Sequence, residues 1–97
     1  MHVAALSLDL HLPYAHSLKD KRAIIRPILD GCYRRFRVAA AEVDFQDRWQ
    51  RAGLAMAAVS ATPGHVSDVL DEVERFVWSI PEVEVVSCER WWLENPR

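Results

Sequence analysis

From Ala4 to Leu12 every second residue is apolar, and all but the first are leucine, while Val3, Ala5, Ser7, Asp9 and His11 fill the positions between. Period two over such a length describes a strand from His2 to Leu12 with one face on a core and the other turned away from it. A strand of this kind is not stable alone. It needs sheet neighbours and a layer of other elements over its leucines, so the question for the remaining residues is what supplies both. Pro13 closes the strand.

Ser17 is an N-cap residue type, and Asp20 three positions on is a partner of the capping-box kind with a charge suited to the helix dipole. A helix is expected from Leu18 to about Phe36, with Leu18, Ile25, Ile28, Leu29, Cys32 and Phe36 on its core-facing stripe and Lys19, Arg22, Arg26, Tyr33 and Arg37 beside it. Pro27 removes a backbone donor and crowds the preceding turn, so a kink or an early break is expected there. Gly31 lowers the propensity of the same helix, which implies that packing holds it in place.

Arg37 to Asp44 returns to period two, Phe45 to Gln50 reads as a polar turn, and Arg51 to Ser60 as a third strand paired to the second in a hairpin. Thr62 and Pro63 open a second helix by the commonest rule, and Val66, Val69, Leu70, Val73, Phe76 and Val77 give it an apolar face opposite Asp68, Asp71, Glu72 and Glu74. Ile80 and Pro81 stop that helix. Glu82 to Trp92 is the fourth strand.

The order β-α-β-β-α-β predicts an α+β, ferredoxin-like domain over residues 1–93, a four-stranded antiparallel sheet with two helices on one face, followed by a tail over 94–97. Helices on one face leave the other uncovered. Ala5, Ser7, Asp9, Gly53, Ala55, Ala57 and Val59 make that face flat and small, and the expectation is a homodimer packed sheet to sheet. Trp91 and Trp92, being consecutive, point to opposite sides of their strand, so one of them must leave the covered core.

With 51% hydrophobic and 27% charged residues the composition is globular. No apolar run nears the ~18–20 residues of a membrane span, and the first residues lack a basic stretch ahead of an apolar one, so the expected location is the cytoplasm, with no membrane partner. Cys32 and Cys88 form no CxxC and are expected as reduced, mostly buried thiols. Charge is unevenly placed. From Lys19 to Arg51 there are nine Lys and Arg against five Asp and Glu; from Ala52 to Arg97 there are three against eight.

This architecture hosts many functions, so function must be argued from sites. An RNA-recognition motif needs exposed aromatics on its central strands, where this chain has alanine, serine and glycine. A copper-chaperone site needs a CxxC in the first loop, and an acylphosphatase-like site an arginine there; the loop is PYAHS. His2, His11, His16 and His65 share no ligand spacing, and no metal or cofactor is expected. Glu42 and Asp44, as i and i+2 on a strand, would share a face and, with Asp47, hold a divalent ion or act as an acid/base pair; the more ordinary reading is a polar edge paired with Arg48 and Arg51.

Lys19, Lys21 and Arg22 stand at a helix N-terminus, and with Arg26, Arg34, Arg35 and Arg37 they form a basic ridge suited to a phosphate backbone. A solvated basic face answering the acidic second helix explains the same residues.

The SLKDKR block at Ser17 to Arg22, Phe36 and Val38, the run AEVDFQDRWQRA from Ala41 to Ala52, and LSLDLHLP near the start together resemble the YlxP-like family of small bacterial proteins along nearly the whole chain. The resemblance implies a ferredoxin-like fold. Genes of that family commonly lie beside those for translation initiation and ribosome maturation factors, which implies a part in ribosome assembly or RNA binding. Pro27 departs from the family pattern, where an ordinary helix former is usual. The family has no established active site, so no catalytic residue carries over and a non-enzymatic role is expected. The working expectation is RNA or a ribosomal particle bound through Lys19, Lys21, Arg22, Arg26, Arg34 and Arg37, with Ser17, Asp44, Gln46, Asp47, Arg48 and Trp49 as the motif surface. The alternative is a homodimeric interaction or regulatory module using the open sheet face.

Overall fold

The computed structural model describes residues 1–93; the tail expected over 94–97 lies outside the described residues. Strand β1 (His2–His11) leads to helix α1 (Leu18–Gly31) and a π-helical turn (Cys32–Phe36). Strands β2 (Ala39–Asp44) and β3 (Arg51–Ser60), helix α2 (Pro63–Trp78) and strand β4 (Glu84–Trp92) follow. All strand pairs are antiparallel, in the order β2-β3-β1-β4, which is the expected ferredoxin-like arrangement.

The leucine strand is one of the two central strands, with β3 on one side and β4 on the other. Ala4, Leu6, Leu8, Leu10 and Leu12 are fully buried, and they pack with Leu54, Met56 and Ala58 of β3 beneath Ile25, Ile28 and Cys32 of the first helical segment and Val66, Leu70, Val73 and Val77 of α2. Each leucine so buried contributes roughly 1.5–3 kcal/mol, so the alternation that places three of them in β1 and a fourth just beyond it organises the domain.

Both helix starts form as the sequence predicts, with one change of detail. Ser17 Oγ accepts from the Asp20 amide at 3.0 Å, and Asp20 Oδ2 accepts from the His16 amide at 3.0 Å, so the reciprocal bond of the box lands one residue ahead of the cap. At α2 the Thr62 hydroxyl accepts from the His65 amide at 3.4 Å, with Pro63 as first residue.

The break expected at Pro27 does not occur there. Pro27 and Ala23 are both exposed, so the Ala23 carbonyl that loses its donor is on the solvent side of α1, where it is open to water. Buried Ile25 and Ile28 hold the flanking turns. Regular α geometry yields five residues later, at the π-helical turn. Gly31 is explained by packing: a Cβ there would sit 2.9 Å from Phe76 Cζ, so the ring of α2 rests on the α1 backbone. Phe36 meets Phe76 with centroids 5.8 Å apart, and the Arg35 guanidinium covers both rings at 5.2 and 5.0 Å.

Two strand starts move inward. Arg37 has a left-handed backbone, φ 57°, so β2 begins at Ala39, and β4 begins at Glu84 rather than Glu82. Trp91 pairs with Ala5 on the open face and Trp92 with Ala4 on the helix side, as their succession requires. Cys32 is buried and Cys88 exposed, so only one thiol is inside as expected. Among the described residues no helix is long and apolar enough to cross a membrane.

Candidate nucleic-acid interface

Among the described residues Lys21 is the one charged side chain that is buried, at 2% exposure. It lies four residues before Ile25 and seven before Ile28, hence on the core stripe of α1 and not on its outer face. Its ammonium is held by four oxygens. Glu42 Oε2 lies at 2.7 Å, and the carbonyls of Phe45, Gln46 and Arg48 accept from Nζ at 2.7, 3.4 and 2.8 Å. The Glu42 contact is a close ion pair whose angles fall outside hydrogen-bond geometry, so Glu42 Oε2 accepts no aligned bond among the described residues. A cation satisfied in this way is not available to a phosphate. Lys21 therefore leaves the basic ridge, because its position on the stripe sends it inward.

The consequence of that clamp is the shape of the β2–β3 loop. Phe45 carries φ 59°, a conformation that costs a bulky residue on the order of 1 kcal/mol or more. Three contacts hold it. Its amide donates to Asp44 Oδ1 at 3.0 Å, its carbonyl accepts from Lys21, and its ring lies 4.5 Å under the Arg51 guanidinium. Arg51 in turn is bidentate on Asp9 of β1, Nε to Oδ1 at 3.1 Å and Nη2 to Oδ2. The Gln50 side chain donates to the carbonyls of Pro13 and Ala15, and its own carbonyl accepts from the Leu12 amide. Residues from the two motif blocks thus meet in space, and what they build is a fixed loop beside the start of α1.

The expected motif surface divides accordingly. Ser17 is a cap and Asp44 a loop-turning acceptor, while Gln46 and Arg48 give their carbonyls to Lys21 and keep exposed side chains. Asp47 and Trp49 are exposed.

Glu42 and Asp44 do not share a face. A register shift between them places Glu42 opposite Leu54, on the helix side, and Asp44 opposite Gly53, on the open side. One extra residue in the strand inverts the alternation, which corrects the carboxylate pair expected from i, i+2 spacing. Gly53 answers the same bulge: a Cβ there would lie 2.6 Å from Asp44 Cβ.

Lys19, Arg22, Arg26, Arg34 and Arg37 are all exposed. Lys19, Arg22 and Arg26 line one shallow depression with Ala23 and Pro27; Arg34 and Arg37 line another with Tyr33, Val38 and Ala39. None of the five is ion-paired to another described residue. Three of the four acids of α2 are committed elsewhere, Asp71 and Glu74 to Arg90 of β4, each at 3.0 Å, and Glu72 to Arg75. The two helices do not neutralise one another.

The two thiols stand apart from this surface. Burial pushes Cys32 up to about 11, and burial followed by the Glu74 hydrogen bond and charge does the same to Cys88.

Comparison with known proteins now adds to the geometry. The sequence model of a family described as "Protein of unknown function (DUF503)" matches residues 3–90. A relative from Bacillus subtilis (strain 168), named "Uncharacterized protein YlxP", is 37% identical over 78 residues, covering 80% of this chain and 85% of that protein. Among solved structures, the de novo designed protein Foldit4 matches with TM-score 0.58 at 10% identity, covering 98% of this chain and 99% of that one. The designed protein LFR1 1, with a ferredoxin fold, matches with TM-score 0.56 at 9% identity, covering 100% and 89%. Likeness to designed proteins at such identity shows the fold alone.

Proposed function

The chain belongs to the DUF503 family of proteins of unknown function, and from that premise we propose that it is a non-enzymatic protein that binds RNA, as free RNA or in a ribosomal particle, through the outer face of α1 and the turn that follows it. The observation that carries this reading is the five exposed cations without a described ion-pair partner, Lys19, Arg22, Arg26, Arg34 and Arg37, in a domain where Asp71, Glu72 and Glu74 of α2 are paired with Arg90 and Arg75. These five cations outnumber the two exposed acids of the same segment, Asp20 and Asp30, and such an excess of positive charge attracts a polyanion and releases its counterions. Acid/base chemistry at the hairpin has less support, since Glu42 and Asp44 face opposite ways and Glu42 is held by Lys21.

A tagged copy run through a sucrose gradient from its host cell tests the reading. Co-migration with a ribosomal particle at low salt, lost as salt rises, supports it; a peak of free protein at both salts overturns it.

A second reading, a homodimer through the open sheet face, is favoured by a separate observation. The ion pair Asp9–Arg51 and the hydrogen-bonded pair His11–Glu84 close within that face, while Val59 and Trp91 remain 65% and 45% exposed at its other end beside Val3. The face is flat and alanine-rich between them, which suits a second copy of itself. Sedimentation equilibrium decides: a dimer that Val59→Lys dissociates supports it, and a monomer at high concentration removes it.

A further inference from the structure

The two basic depressions on this surface differ in chemistry. The one at Lys19, Arg22 and Arg26 offers only cations and aliphatic stems. The one at the end of the helical segment, about 480 Å³, adds an aromatic ring and the start of a sheet edge to its two arginines, being lined by Tyr33, Arg34, Arg37, Val38 and Ala39. Resting on the RNA-binding reading above and sharpening it, we propose that this second depression is a subsite for one unstacked nucleotide, whose base lies on the Tyr33 ring and whose phosphates meet Arg34 and Arg37.

Each element of the subsite has its own support. Tyr33 is 68% exposed, although a tyrosine ring left in water gives up the burial such residues usually gain. Its neighbour Arg35 is occupied, lying over Phe36 and Phe76, so the π-helical turn sorts its arginines into one packed and one free. The backbone departs from common geometry at this place. The α-helix widens to a π-helical turn over Cys32–Phe36, and Arg37 then takes φ 57°, which carries the chain directly into β2. Both conformations are costly and concentrate at functional surfaces. Here they bring Tyr33, Arg34 and Arg37 around one hollow. Finally, β2 pairs only with β3, so its outer edge, which begins at Ala39 in the same hollow, carries main-chain groups without a strand partner. Such groups are suited to the edge of a base.

The two depressions are centred some thirteen residues apart in the chain, at most roughly 20 Å at the rise of a helix. A single strand of a few nucleotides reaches from one to the other. Duplex RNA offers phosphates to both depressions but no free base to Tyr33, so the subsite makes the protein prefer single strands.

Fluorescence anisotropy with labelled decauridylate and with a ten-base-pair RNA duplex tests this on the full chain. Tyr33→Leu is expected to weaken decauridylate binding about tenfold, the scale of a single base–aromatic stack, with the duplex unaffected, and Tyr33→Phe to retain binding within about twofold since it keeps the ring. Full decauridylate affinity in Tyr33→Leu, while Arg22→Glu with Arg26→Glu weakens it, overturns the subsite and leaves the RNA-binding ridge standing. An equal loss on both probes in Tyr33→Leu also overturns it, because stacking needs an unpaired base. A wild-type protein that binds neither probe overturns the subsite and the ridge together. Tyr33 is exposed, so the variant's unchanged melting temperature confirms that a loss comes from the surface.

Discussion

Lys21 and Arg22 follow one another in the chain with the same charge, yet the Lys21 ammonium sits 2% exposed among four oxygens, while Arg22 stands in solvent beside Lys19 and Arg26. One step along a helix is 100° of rotation, enough to exchange the core for the outside. The same block of sequence therefore serves two ends. Its inward member locks the β2–β3 loop onto α1, and its outward members are left free for a partner.

Substitutions that separate these two roles test the comparison. Lys21→Met should be the most damaging, lowering the unfolding free energy by about 3 kcal/mol, as expected when one partner of a buried pair is removed, since Glu42 keeps only 23% exposure and three carbonyls lose their donor. Urea unfolding measures this, and Lys21→Met with Glu42→Leu should recover much of the loss. Gly53→Ala comes next, at about 1–3 kcal/mol by overpacking against Asp44, with Asp44→Gly as the relieving second change. Ser17→Ala, which removes the cap, should cost about 1 kcal/mol. Arg22→Glu with Arg26→Glu should leave stability within about 0.5 kcal/mol while weakening RNA binding. Loss of stability in that pair, or none in Lys21→Met, would break the division between inside and outside.

Cys32 provides a smaller and independent check, because it lies on the same buried stripe as Lys21. Burial pushes its thiol up to about 11 from 9.0, so at pH 8 it is protonated as well as covered, and alkylation should rise as pH climbs toward 11. At pH 8 iodoacetamide should modify Cys32 faster in Lys21→Met than in the wild-type protein, as the stripe opens more often.

Much of this was legible in the residues. The leucine alternation of β1, the caps at Ser17 and Thr62, and the order of the elements all act through local rules, and they led directly to the sheet and its two helices. What escaped depends on a shift of one residue or on a contact between distant elements. Lys21 was grouped with the cations by its charge, although its spacing from Ile25 and Ile28 marks it as a stripe position. The bulge after Glu42 reverses the facing of Asp44, and no propensity singles out Val43 as the unpaired residue. Pro27 predicts a kink or an early break from its lost hydrogen bond, but α1 runs through it because the loss falls on the exposed side of the helix. Gly31 and the π-helical turn answer Phe76, nearly fifty residues away, so only the folded chain explains them.

The central claim is that the outward cations of α1 and its following turn bind a polyanion, and the most direct measurement is the salt dependence of affinity for a single-stranded RNA. Log K against log [KCl] should fall with a slope of roughly −3.5 if all five cations meet phosphates, and of roughly −2 in Arg22→Glu with Arg26→Glu, at about 0.7 per contact. A flat line for the wild-type protein, or the same slope in both, would contradict the account.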